Sequence, residues 1–265
     1  MSNKLDKRMI IKMISVSIIM LLVSYSAIFM LVKQVVEKES QKNMVQKARA
    51  LTVQIEHVRH YISNMVADDV FDPGLLVEAQ KYIKRKDAKS KEEIIKIARL
   101  TRFYRTIPIV SSWTIGQGRS PDSLHQFRVV RIGARNQKHE ALPTEREMLE
   151  HMVKEDLDEH WIIDKESNSL RYMKAIIMKK ECLICHGTEE DYPAGKGYDP
   201  LGIKMEGWAE GEQRGAFEII SDLKPLQETV RKVQYDMIGI GVLMVLILVF
   251  SVPVWFRMLQ SKDDQ

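Results

Sequence analysis

The sequence predicts an α+β protein in which an antiparallel sheet with flanking helices is set between two transmembrane helices. Three observations carry this. Two blocks, Met13–Val32 and Met237–Phe256, run for about twenty residues each without a charge, the length at which a helix crosses the hydrocarbon core of a bilayer. Between them lie five short runs rich in β-branched and aromatic residues, which read as strands. Around those runs, apolar residues recur in steps of three and four, the period of a helix.

The first twelve residues carry Lys4, Lys7, Arg8 and Lys12, and a basic flank of this kind stays in the cytoplasm. The apolar block that follows, residues 13–32, exceeds the roughly 7–15 residues of a signal-peptide core, so it reads as an uncleaved anchor. The second span, residues 237–256, brings the chain back to the same side, with Arg257 and Lys262 in a cytoplasmic tail over 257–265. Residues from Lys33 to Asp236 are then extracytoplasmic, in the periplasm of a bacterium with an inner membrane.

Residues 33–70 read as a helical stalk. Met44, Ala48, Leu51, Ile55, Val58, Ile62 and Met65 alternate steps of four and three, a heptad seam that packs on a partner helix, on a sheet or on a second copy in a homodimer. Asp72-Pro73-Gly74 breaks the helix, and the folded domain spans 71–221. Residues 75–102 read as helical, their Lys and Glu forming a solvated face. The strand runs are Ile107–Ile115, Phe127–Ile132, Trp161–Asp164, Leu170–Met178 and Gly215–Ile220, with a helix near Thr144–Asp158 between the second and third. A second stalk, 222–236, steps through Leu226, Val230 and Val233 into the second span at Met237. The net charge of +4 is small and dispersed; without a basic stripe or a groove-reading motif, nucleic-acid binding is not expected.

The chain has two cysteines, in Cys182-Leu183-Ile184-Cys185-His186. This is the spacing of c-type haem attachment: each thiol forms a thioether with a vinyl group of the porphyrin, and the histidine supplies the proximal nitrogen to iron. A zinc site would need two further ligands from scattered histidines. A thioredoxin-like pair would open a helix within a βαβ unit, whereas this pair follows a strand and leads into a Gly/Pro-rich loop. A plain disulfide leaves His186 without a role. One motif implies one haem, with Cys182 and Cys185 as attachment points and His186 as the proximal ligand.

Cys182 to Gly187, Tyr192-Pro193, Gly207-Trp208, Gly211-Glu212 and Gly215-Ala216-Phe217, with Ile107-Pro108-Ile109 and Ala134-Arg135-Asn136 upstream, resemble the periplasmic c-type-haem PAS-like sensor domain. The resemblance implies a PAS-like antiparallel sheet with the haem lodged beside it. It departs at Gln137-Lys138-His139, where the family often places a proline and then an asparagine. It departs again in having no spare cysteine to serve as the sixth iron ligand, as some members use. Candidate distal ligands on the N-terminal helix are Met44, His57, His60 and Met65; two of them, Met44 and Met65, also fit plain core packing on the seam, and the histidines fit a solvated face. Arg128, Arg135, Arg171 and Lys174 are candidate partners for haem propionates, and Trp113 and Trp208 candidate pocket walls.

The expected function is a membrane-anchored, non-enzymatic sensor of redox state or of a small gas. With about ten residues after the second span, it is expected to signal through a partner protein. The rival expectation is a membrane-tethered monohaem cytochrome that exchanges electrons with a redox partner.

Overall fold

The computed structural model describes residues 7–118 and 125–263; residues 1–6 of the expected cytoplasmic flank and 264–265 of the tail lie outside them. The chain divides into two compact units, Met1–Asn43 with Leu223–Gln265, and Met44–Asp222.

The first unit is built from the two long terminal helices. Helix α1, Lys7–Ala67, begins here, and the second long helix is Lys224–Asp263. Both expected spans lie within these helices. Each helix is long and apolar enough, by length and composition, to cross a membrane, and its most apolar window is wholly unburied. Within this unit the Tyr25 hydroxyl donates to the Met237 carbonyl.

The second unit holds the sheet. Helix α1 runs to Ala67, and Asp72 Oδ1 accepts the Gly74 N–H at 2.8 Å, a side-chain turn that starts α2, Gly74–Arg85. The segment expected as one helix over 75–102 is two. Asp87 takes a left-handed φ of 51°, and Ser90 and Glu93 then cap α3, Lys91–Ala98, reciprocally.

Residues Ile107–Ile115, expected as a strand, form helix α4, Pro108–Gly116. The reason is local. Pro108 sits at the first helical position, where its missing N–H costs nothing and its φ is already helical. Ser112 and Thr114 hydroxyls then donate back to Ile109 and Val110 carbonyls, at 3.0 and 2.7 Å. β-branched content pointed to a strand, and the proline outweighed it.

The remaining strand expectations hold as four antiparallel strands: β1 His125–Val130, β2 Glu159–Asp164, β3 Ser169–Ile177 and β4 Gln213–Asp222. Their order is β1-β4-β3-β2. Helix α5, Pro143–Lys154, lies between β1 and β2. The β2–β3 turn is fixed by Asp164, whose carboxylate accepts the Glu166 and Ser167 N–H groups. Helix α6, a single turn at Leu183–His186, falls between β3 and β4.

Cross-strand partners share a face of the sheet. Val130, Met173, Ala175 and Ala216 form one face and bury Met148, Leu149 and Met152 of α5. Tyr172 and Glu159 belong to the other. There the Tyr172 hydroxyl donates to Glu159 at 2.6 Å, and Glu159 also pairs with Arg49 of α1. The buried stripe of α1 is Val45, Ala48, Thr52, Ile55, Arg59 and Ser63, rotated from the apolar seam. Leu51 of that seam is 37% exposed, while Thr52 is fully buried. Its hydroxyl donates to the Ala48 and Arg49 carbonyls, so burying it leaves no donor unpaired.

Candidate functional site

The Cys182–His186 motif stands where β3 ends. A 3-10 turn at Lys180–Cys182 leads directly into α6, so the five residues wind as a tight coil ahead of the Gly/Pro-rich loop. Winding brings both thiols and the imidazole onto one short element. Both cysteines are free and partly buried. Burial pushes the Cys185 thiol up to about 12, with Asp199 adding to the effect and Arg135 opposing it; Cys185 is held as a protonated thiol.

His186 is fixed from two directions. Its Nδ1 lies 3.0 Å from Glu206 Oε2, and its ring stacks on Trp208 with centroids 4.6 Å apart and planes within 6°. Burial holds the imidazole below its ordinary pKa, against the pull of Glu206. The neutral tautomer that satisfies Glu206 carries its proton on Nδ1 and leaves the Nε2 lone pair available. No hydrogen bond reaches Nε2 among the described residues. An imidazole oriented by a carboxylate on one nitrogen, with the other open, is how histidines are prepared as metal ligands.

The backbone sets these partners in place. The Gly207 and Trp208 N–H groups donate to the Gly187 and His186 carbonyls, at 2.8 and 3.0 Å. This pins the Glu206–Trp208 segment alongside the turn. Gly207 takes a φ of +73°, a conformation that favours glycine. At Gly187 a Cβ would collide with Asp191 Oδ2, the same oxygen that accepts the Thr188 N–H at 2.7 Å.

Glu206 is itself held. Arg135 Nε donates to its Oε1 at 2.7 Å, and Arg131 Nη1 approaches the same oxygen at 3.4 Å. Although burial opposes ionisation, hydrogen bonds from His186 and Arg135 bring Glu206 down to about 2. Arg135 also donates to Asp199 Oδ2 and to the Cys185 carbonyl, both at 2.6 Å, so one guanidinium joins the turn, Glu206 and the Asp199 loop. Arg131 covers Trp208 at 4.0 Å from the ring centroid, a cation–π contact.

On the helix side, Arg59 of α1 is the residue that meets the motif. Its Nη1 donates to Cys182 Sγ at 3.6 Å and its Nη2 to the Ile177 carbonyl at 3.4 Å, while its Nε donates to Glu56 at 2.8 Å. Of the candidate distal ligands, His60 is half-buried, with Nδ1 3.0 Å from Lys179 Nζ and Nε2 3.4 Å from Glu56 Oε1. His57 is exposed, and Met44 and Met65 are partly buried. Arg128, Arg171 and Lys174 are committed elsewhere, to Glu145, Glu218 and Asp158 respectively.

Sequence reasoning missed Arg59, Arg131, Asp199 and Glu206. An arginine in phase with the buried positions Ile55 and Thr52 was a usable signal for Arg59. Nothing about Glu206 distinguishes it from other acids without the fold. Arg135 and Trp208 stood among the candidates, and their contacts with the motif are now explicit.

Fold and site together define a small antiparallel-sheet domain whose Cys-X-X-Cys-His turn presents two free thiols and a carboxylate-anchored imidazole. The chain belongs to the Tll0287-like family, whose model matches residues 37–221. Among solved structures it is similar to that of the cyanobacterial haem protein Tll0287, at 16% identity and a TM-score of 0.41, covering 67% of this chain and 93% of that one. No curated protein matches the chain.

Proposed function

We propose that this chain is a membrane-anchored protein that carries one covalent haem on Cys182, Cys185 and His186, in a PAS-like domain on the periplasmic side. The observation that carries the reading is the state of the motif: two free thiols beside an imidazole whose Nδ1 is taken by Glu206 and whose Nε2 is open. The donor set fits the group, since thioether attachment needs the thiols unpaired and axial ligation needs a neutral imidazole. The relative Tll0287 being a haem protein supports the same reading. Bound haem would supply one-electron redox chemistry and the capacity to bind a small gaseous ligand. The chain's own residues orient His186 through Glu206 and Trp208, and neutralise Glu206 through Arg135 and Arg131.

The role favoured is sensing of redox state or of a small gas, without catalysis, through a partner in the membrane. Support comes from α1: the same uninterrupted helix contains an apolar span and Arg59, the residue that contacts Cys182. A switch requires two states in which such contacts differ. Optical spectra of the purified protein, oxidised and dithionite-reduced, with and without CO, test this alongside spin-label distances on α1. CO binding together with a redox-dependent movement of α1 is expected. A six-coordinate haem that refuses CO and leaves α1 unmoved would replace this role with that of a tethered electron carrier.

A further inference from the structure

Arg59 is the one cation in the buried stripe of α1. It lies between Ile55 and Ser63 and is 4% exposed. A guanidinium keeps its charge in a protein, and taking it out of water is costly unless protein groups replace its hydration. Three groups do so here. Its Nε and Nη2 donate to the Glu56 carboxylate, the first at 2.8 Å. Nη2 also reaches the Ile177 carbonyl at 3.4 Å, and Nη1 lies 3.6 Å from Cys182 Sγ.

The three contacts differ in kind. Glu56 takes Nε and Nη2 and is itself shared with His60 Nε2 at 3.4 Å. Lys179, a second cation beside the turn, is directed at that same histidine, with its Nζ 3.0 Å from Nδ1. The Ile177 carbonyl belongs to the end of β3, past the irregularity between Ala175 and Ile177, and a neutral donor would satisfy it equally. Nη1 has the sulfur as its hydrogen-bond partner among the described residues. A charged donor therefore meets a weak acceptor, at the atom that the haem reading places in a thioether. Thioether formation removes the S–H and leaves sulfur lone pairs, so the contact is compatible with attached haem.

Electrostatics then sets a direction. A fixed positive charge in a poorly hydrated site favours the less positive member of a redox pair, and ferrous haem carries one positive charge fewer than ferric. Coupling of this kind is reciprocal. If Arg59 at Cys182 favours reduction, reduction strengthens the hold of Arg59 on the turn by the same factor. That hold is exerted on α1, to which Arg59 belongs.

We propose that Arg59 couples α1 to the charge on the haem: it favours the reduced state, and reduction in turn tightens its contact at Cys182. Arg59 is a positioning residue, outside the coordination of the iron. This rests on the haem reading above and adds to it the coupling residue and the direction of the switch.

The test is an optical redox titration of the full-length holoprotein in detergent, poised with dithionite and ferricyanide, comparing wild type with Arg59→Gln, Arg59→Lys and Glu56→Gln. Arg59→Gln is expected to lower the reduced-to-oxidised ratio at a fixed potential on the order of tenfold, about 59 mV for one electron. Glu56→Gln leaves the guanidinium without its counter-charge and is expected to raise that ratio. Arg59→Lys keeps the charge and is expected to stay nearer wild type than Arg59→Gln does. A purely structural role would loosen the fold in Arg59→Gln and Glu56→Gln alike, without shifts of opposite sign. Hydrogen exchange of the α1 amides around Arg59 reads the reciprocal half. It is expected to be slower in reduced than in oxidised wild type, with the difference lost in Arg59→Gln. Covalent haem on a denaturing gel with unshifted potentials, or with both shifts of one sign, overturns the proposal and leaves the haem reading standing. Equal exchange in the two redox states of wild type does the same. Where Arg59→Gln fails to fold, the sign of the Glu56→Gln shift and the wild-type exchange still decide. A wild-type chain without covalent haem overturns the haem reading and the proposal together.

Discussion

Two carboxylate–arginine clusters in the sheet domain take opposite courses. At the Cys-X-X-Cys-His turn, Glu206 receives His186, Arg135 and Arg131 and falls to about 2. On the α5 face of the sheet, Glu218 and Glu145 are both fully buried and share Arg171, which lies 2.7 Å from one and 3.5 Å from the other. Arg171 is shared again with Asp164 at 2.9 Å. There burial, reinforced by the facing Glu145, pushes Glu218 up to about 8. The difference lies in how many cations each carboxylate can claim. Where cations outnumber it, a carboxylate stays charged and can hold an imidazole; where carboxyls crowd shared cations in a dry core, one keeps its proton. The first cluster orients the His186 imidazole, and the second ties α5 to the sheet.

The largest expected effect breaks the second cluster. Arg171→Leu strips a cation from three acids and is predicted to cost about 3–5 kcal/mol, the usual result of leaving a buried charge unpaired. Urea unfolding of the detergent-solubilised chain, followed by tryptophan fluorescence, measures it; a loss below about 1 kcal/mol would mean that the acids find other partners. The contrast sharpens with pH. Glu218 has a folded pKa raised from 4.5 to about 8, so its contribution is fully present below the unfolded value. It is lost as pH rises between those two values, with a slope approaching about 1.4 kcal/mol per pH unit. Glu218→Gln should flatten that decline in the same unfolding assay, and an unaltered slope would assign the decline to another group.

At the first cluster the predicted effects would appear on the iron of the proposed haem. With His186 as the proposed ligand, Glu206→Gln removes the carboxylate that would make it more basic, so the oxidised state loses support. The reduced-to-oxidised ratio at a fixed potential should rise on the order of tenfold, a tenfold change being about 59 mV for one electron. Arg135→Gln, which exposes Glu206 to His186 less neutralised, should move the potential the other way. Equal shifts of the same sign in a redox titration would contradict this division of labour. The smallest effect is expected at Arg49, whose pair with Glu159 is largely solvated. Arg49→Gln should change unfolding free energy by no more than about 1 kcal/mol.

What could be read from the sequence tracks where local chemistry decides structure. The strands β1 to β4 followed from runs of β-branched and aromatic residues, helix α5 was expected between the first two of them, and the Cys-X-X-Cys-His motif was read from spacing within five residues. Helix α4 was misread because Ile107, Ile109 and Val110 look like a strand, while the helix is decided by Pro108 at its first position. The buried stripe of α1 was displaced from the apolar seam because Thr52 and Arg59 are buried with their polar groups hydrogen-bonded, which an apolar count cannot register. Glu206 became a site residue through His186, 20 residues away in the chain, and Asp199 through Arg135, 64 residues away; such pairings belong to the tertiary fold and leave no local trace.

The central claim is best tested by the intact mass of the purified chain under denaturing conditions. Wild type should retain the mass of one haem through denaturation, and the Cys182→Ser, Cys185→Ser double variant should not. A wild-type chain at its bare polypeptide mass, from cells shown to mature other c-type haem proteins, would contradict covalent attachment at Cys182 and Cys185 and leave the oriented His186 in need of another purpose.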